Sequence, residues 1–146
     1  MKTLTADPIR KSANRYASEP RRQILWTDLV GTNMKEELIP IFHVADARKT
    51  AAWYGRLDFE IEGEHRFAST LPLYLFLRRG DVRLHLSEHK GDARPGALVY
   101  FWVDDVDVIA SEFGVKVVQQ PWARQVDIMD PDGNRLRIGE RNTAVE

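Results

Sequence analysis

Four histidines, no cysteine, and a set of aromatics interleaved with arginines are what this 146-residue chain offers for chemistry. His43 ends a β-branched and aromatic run, Leu38–Val44, and His85 sits midway along Val82–Ser87. Strand alternation puts Ile39, Ile41 and His43 on one face, and Arg83, His85 and Ser87 on one face of their own strand. Paired imidazoles could hold a metal or move protons, with His89 two pleats beyond His85. No carboxylate obviously completes such a metal site, and the plainer reading is two hydrogen-bonded histidines in a polar cavity. Without cysteine, thiolate metal sites, cysteine nucleophiles and disulfides are excluded. No Ser-His-Asp spacing, nucleophile elbow, phosphate loop or dinucleotide fingerprint occurs, and the glycines at 91 and 96 belong to a connecting loop.

The aromatics carry a second kind of chemistry. Trp122 follows Pro121 in a loop, where core packing explains an indole poorly. Leu98, Tyr100 and Trp102 alternate with Val99, Phe101 and Val103; Arg135 and Arg137 alternate with Leu136 and Ile138. A face of Tyr100, Trp102, His43, His85, Arg83 and Arg137 suits a flat, partly polar small molecule better than a dry core. Trp102 reads equally as cavity wall and as subunit contact, and Trp53-Tyr54 reads as core.

These residues need a scaffold. The chain is 43% hydrophobic and 29% charged, with a formal net charge of −1. Residues 1–33 carry six basic groups against three acidic ones, leaving a mildly acidic body. That balance argues against a nucleic-acid module. Residues 1–36 read as a flexible basic extension, of which 1–33 lie upstream of a start at Met34 or form an arm that docks a partner or exchanges between subunits. No apolar run approaches the roughly 20 residues of a membrane span, and no signal-peptide core is evident, so a cytoplasmic location is expected.

From Leu38 the pattern is regular. A strand over Leu38–Val44 leads to a helix from the N-cap Asp46 to Leu57, with Asp58 suited to a left-handed stop. Strands follow at Phe59–Phe67, Leu73–Leu77 and Val82–Ser87. The order then recurs: strand Ala97–Val103, helix Asp105–Phe113 closed by Gly114, and strands near Val115–Val118, Arg124–Met129 and Arg135–Ile138. Asp130-Pro131-Asp132-Gly133-Asn134 is a turn. A shift of 59 residues lays Phe42, Val44, Asp46, Ala51 and Gly55 on Phe101, Val103, Asp105, Ala110 and Gly114. The reading is an α+β fold of two βαβββ modules, about 37–90 and 95–141, in a domain spanning 37–141 with a tail at 142–146.

The stretches Ile39–Asp46, Ala52–Phe59, Gln120-Pro121-Trp122 and Asp130–Asn134 resemble the vicinal oxygen chelate superfamily of glyoxalases, extradiol dioxygenases and resistance proteins. The Gln-Pro-Trp segment is most similar to its bleomycin-resistance branch. The resemblance covers 38–140 and implies curved mixed sheets enclosing a cavity, usually within a homodimer. It also implies neighbouring strands for His43 and His85, and stacking aromatics such as Phe67 and Tyr74 on the middle strands; both aromatics read equally as rim or dimer contacts.

The superfamily's enzymes hold a divalent metal from four positions. Counted from its motifs, these fall here on Ile39, His85, Leu98 and Arg137. Two aliphatics and a guanidinium cannot ligate a cation. The expectation is therefore a small-molecule binder of the bleomycin-resistance type acting by sequestration, with no cofactor, no metal and no catalytic residue. Its expected ligand-contacting residues are Trp122, Trp102, Tyr100, Phe67, Tyr74, His43, His85, Arg124 and Arg137, its partners a small molecule and a second copy of itself. The alternative is an enzyme with a displaced metal site or metal-free acid–base catalysis; a third reading is a scaffold that uses the basic arm.

Overall fold

The structure is a computed structural model that describes residues 35–66 and 68–143. Most of the N-terminal extension, Phe67 and the last three residues lie outside the described residues. Strand β1 (Ile41–His43) leads into helix α1 (Ala47–Tyr54), a 3-10 turn (Gly55–Leu57), and strands β2 (Glu60–His65), β3 (Tyr74–Arg79) and β4 (Val82–Ser87). The order repeats as β5 (Leu98–Trp102), α2 (Val106–Phe113), β6 (Val118–Gln119), β7 (Ala123–Met129) and β8 (Arg135–Arg141).

Each module makes its own mixed sheet, ordered β1-β4-β3-β2 and β5-β8-β7-β6. The first strand runs parallel to the last, and the other pairs are antiparallel. This is the α+β two-module architecture that the internal repeat implies. The helices start alike, because the Asp46 carboxylate accepts from Lys49 N and the Asp105 carboxylate from Asp107 N and Val108 N. A further correspondence escaped sequence comparison. Glu88, just past β4, accepts from the first helical N–H of α1 (Ala47, 2.8 Å), and Glu140, in β8, accepts from that of α2 (Val106, 3.0 Å). Each carboxylate satisfies a donor left orphaned by the helix start.

The repeat breaks at the helix ends. Gly114 adopts φ 64°, whereas its counterpart Gly55 is right-handed at φ −58° and Asp58 takes the left-handed position at φ 64°. The 3-10 turn intervenes and delays the reversal by three residues.

One hydrophobic cluster joins both modules and holds Phe42, Tyr54, Leu86, Phe101, Val126 and Ile138. Burying one such large side chain contributes roughly 1.5–3 kcal/mol. Trp53 meets Phe113 at 5.2 Å and Phe59 meets Phe101 at 5.9 Å, so the helix-facing sides share this core. The β7–β8 turn adds a polar latch. Asp132 accepts from Ala45 N (2.8 Å) and Thr50 Oγ1 (2.6 Å), Asp130 Oδ2 accepts from the Tyr54 hydroxyl (2.8 Å), and Asn134 Nδ2 donates to His43 O. With one face of each sheet committed to the shared core, the opposite faces are left for ligands or partners.

Candidate functional site

Alternation builds the outer face of the second sheet. Phe101, Val126, Leu136 and Ile138 turn inward, while Leu98, Tyr100 and Trp102 stay exposed. Register then sets the neighbours: Tyr100 lies beside Arg137 and Arg137 beside Asp127, while Trp102 lies beside Gly139 and Gly139 beside Gln125. These residues, with Gln120 and Trp122 from the loop, line an open cleft of about 710 Å³.

The wall is held by a directed hydrogen-bond chain. Trp122 Nε1–H donates to the Tyr100 hydroxyl at 3.1 Å, and that hydroxyl donates to Gln125 Oε1 at 3.0 Å. Gln125 Nε2 donates in turn to Asp127 Oδ1 at 3.1 Å. Gln125 is only 6% exposed, so its amide is a fixed anchor, whereas Trp122 is 54% exposed and presents its indole to the cleft. Tyr100 lies flat across Gly139; a Cβ there would overlap the Tyr100 hydroxyl and sit 3.0 Å from two ring carbons. Trp102 packs 4.9 Å from Tyr100 and carries the Arg141 guanidinium at 4.2 Å, within cation–π range.

The first sheet's outer face is different. Ile41 pairs with His85 and His43 with Ser87, so the two histidines share this face on adjacent strands. His85 Nδ1 contacts the Tyr74 hydroxyl at 2.8 Å, and the Phe76 ring meets its imidazole edge-on at 4.7 Å. Burial, with the Arg83 charge second, pushes the His85 pKa down to about 4. Burial, followed by the charge of Asp92, pushes the Tyr74 phenol up to about 12. Both groups are therefore neutral across the physiological range. His43 Nδ1 is buried with no hydrogen-bond partner among the described residues.

The sequence-derived candidates fall into separate places. Tyr100, Trp102, Trp122 and Arg137 come together on the second sheet; His43, Tyr74 and His85 come together on the first. Phe67 lies outside the described residues. Arg124 is placed away from the cleft: strand parity turns it to the helix side, where it grips Asp107 with two 2.9 Å bonds and lies 3.5 Å from Glu140. Gln125 and Asp127 were missed, because polar residues on a strand read as solvated, and Gln120 was quoted only as part of the Gln-Pro-Trp segment. The inward Val126 and Ile128 carried the signal, since they fix Gln125 and Asp127 outward and Arg124 inward.

The four positions at which the resemblance implies a metal do not fit one. Leu98 and Arg137 lie diagonally across β5 and β8, His85 lies diagonally from Ile39, and His85 Nδ1 is engaged by Tyr74. A single imidazole beside a guanidinium offers no cation site. Among the described residues, Asp105, Asp107 and Glu140 converge, but these carboxylates already serve helix N–H groups and Arg124. A larger cleft of about 820 Å³ at the foot of α2 is lined by charges paired with one another, Arg56 with Glu112 and Arg79 with Asp58. Its wall offers no aromatic face.

A family model described as "Glyoxalase superfamily protein" matches residues 25–144. No curated relative matches the chain. Among solved structures, the chain is similar to a bleomycin-binding protein complexed with bleomycin, at 24% identity and a TM-score of 0.57, covering 74% of this chain and 100% of the other. The antibiotic binding protein TnmS3 from Streptomyces sp. CB03234 matches at 24% identity and a TM-score of 0.59, covering 75% and 100%. A glyoxylase/bleomycin resistance protein/dioxygenase domain from Frankia sp. EAN1pec matches at 17% identity and a TM-score of 0.63, covering 77% and 96%. At these identities the solved structures establish the shared fold.

Proposed function

This chain belongs to the glyoxalase superfamily, and within it we propose a metal-independent binding protein that sequesters a bleomycin-type, planar small molecule in the cytoplasm. The observation that carries the reading is the half-exposed indole of Trp122, pinned through Tyr100 to the buried Gln125 at the mouth of a 710 Å³ cleft. A wall fixed before the ligand arrives loses little entropy on binding, and an aromatic face gains by stacking. The bleomycin-binding and antibiotic-binding neighbours support the same reading.

Catalysis is the weaker reading. A general acid or base works best with a pKa near the working pH, and His85 at about 4 and Tyr74 at about 12 stand far from it. The residues at the metal positions supply no Lewis acid site.

The cleft draws its lining from the second module alone, and Leu98, Tyr100, Trp102 and Met129 leave an apolar outer face exposed. A second copy of the chain covers it in our reading, giving a homodimer with the ligand between subunits.

The test is calorimetric titration of chelator-treated protein with metal-free and copper-loaded bleomycin, alongside light scattering for mass. The expected result is a dimer binding near one ligand per subunit, weakened about tenfold by Trp122→Ala. No heat with either form removes bleomycin as the ligand class, and tightly held metal in untreated protein favours the enzymatic reading.

A further inference from the structure

We propose that the second-sheet cleft selects a planar aromatic ligand bearing an acidic group, a carboxylate, sulfonate or ionised phenol, with the ring against Trp122 and Tyr100 and the anion on Arg137. The proposal rests on the binding role above but departs from bleomycin itself, whose cationic groups this face disfavours.

An exposed arginine is unremarkable by itself; the contrast between the two sheets is informative. Every arginine in the strands of the first sheet has a carboxylate: Arg78 has Glu60, Arg79 has Asp58, and Arg83 has Glu62 and Glu37. Arg124, the second sheet's inward arginine, has Asp107 and Glu140. On the outer face of that sheet, Arg135, Arg137 and Arg141 have no carboxylate partner within 4.0 Å among the described residues. Arg141 is stacked on Trp102. The single carboxylate of the cleft, Asp127, stands in register with Arg137 yet takes its hydrogen bond from Gln125 instead. The guanidinium donors of Arg137 are thus uncommitted, one strand away from the Tyr100 ring.

Three guanidinium groups against one carboxylate give this face a positive potential on an otherwise acidic body. A guanidinium is weakly hydrated and presents a flat fork of N–H donors, matched to two oxygens of an acidic group in the plane of an aromatic ring. A cationic ligand entering the same wall would meet that field unfavourably.

Three probes sharing one ring system test this: anthraquinone-2-sulfonate, neutral 2-(hydroxymethyl)anthraquinone, and the corresponding trimethylammonium salt. Each is titrated against the full chain by tryptophan fluorescence at low and high salt. The expected result is that the sulfonate binds about tenfold more tightly than the neutral probe. Salt should shrink this gap, and Arg137→Gln should remove it. Tightest binding of the ammonium probe overturns the proposal, as does a sulfonate preference that survives Arg137→Gln. A change of oligomer mass in Arg137→Gln with the preference intact overturns it too, assigning the arginine to the subunit contact. In those cases, anthraquinone binding that Trp122→Ala abolishes leaves the binding role standing. Failure of all three probes to bind overturns the proposal and leaves the binding role to the bleomycin titration.

Discussion

Gly139→Ala is the smallest change that reaches the cleft, and its consequence follows from one contact. Gly139 is absent from the residues with positive φ, so alanine meets no backbone strain there. The added methyl instead overlaps the Tyr100 hydroxyl and crowds ring carbons at 3.0 Å. Tyr100 is half-exposed at its far edge, so the ring swings outward and the strand stays in place. That breaks the bonds to Trp122 and Gln125, each contributing about 0.5–1.5 kcal/mol net. The Trp122 N–H can turn to water, and alanine suits a strand better than glycine by roughly 0.5–1 kcal/mol. Stability should therefore fall by roughly 0–2.5 kcal/mol, while an aromatic ligand loses its pre-set wall and about tenfold in affinity. The assay is urea unfolding beside fluorescence titration with bleomycin or the anthraquinone probes, run as a cycle with Tyr100→Ala. With the ring gone the methyl has nothing to strike, so the two changes should couple by about 1 kcal/mol. An equal Gly139→Ala effect in both backgrounds would refute the clash as its cause.

The Tyr54 hydroxyl, fully buried and 2.8 Å from Asp130 Oδ2, ties α1 to the β7–β8 turn. Burial, and then the Asp130 charge, hold that phenol in its neutral donor form. Tyr54→Phe should cost about 1.5–3 kcal/mol in urea unfolding, moderated because Asn134 Nδ2 still donates to the same oxygen; a loss below about 0.5 kcal/mol would show that the latch carries no load. For His85, the unfolded chain binds a proton near pH 6.5 and the folded one only near pH 4. The stability from keeping this imidazole neutral is complete above about pH 6.5 and is lost as pH falls toward about 4, by up to roughly 3 kcal/mol. Between about pH 6.5 and 5, before most carboxylates titrate, wild type should therefore lose stability faster than His85→Gln. Identical slopes would mean that burial does not set this group's charge.

What was legible in the sequence is what periodicity controls. Alternation sorted Phe42, Val44, Leu86, Phe101 and Ile138 inward, and Tyr100, Trp102, His43 and His85 outward, because a strand offers a side chain only two directions. The loop position of Trp122 made it a candidate, and it lines the cleft. What stayed hidden depends on register between distant strands. The overlap of Tyr100 with Gly139 follows from a β5–β8 pairing that neither strand encodes alone. The role of Gln125 as anchor likewise needs Tyr100 brought beside it across the sheet. Arg124 was expected among the ligand contacts, whereas the parity set by Val126 and Ile128 turns it toward α2.

The two modules show why the repeat reveals the scaffold and conceals the site. Their shared features all serve the inner face: capping aspartates at Asp46 and Asp105, carboxylates from Glu88 and Glu140 on the first helical N–H, and a common core. Changing any of these exposes a helix start or opens a cavity, so the same residue types recur in both copies. Outer positions carry no such constraint. Where the first module holds Ile41, His43 and His85, the second holds Tyr100, Trp102 and Arg137 at the matching places on its strands. The first face is largely satisfied, with His85 hydrogen-bonded to Tyr74 and its arginines paired, although the buried His43 Nδ1 has no hydrogen-bond partner among the described residues. The second is left with an exposed indole, guanidinium groups with no carboxylate partner among the described residues, and a hydrogen-bond chain that ends in the cleft. Groups held in place but not satisfied by their own chain are the ones a ligand can satisfy, and here they are concentrated on one sheet of the pair.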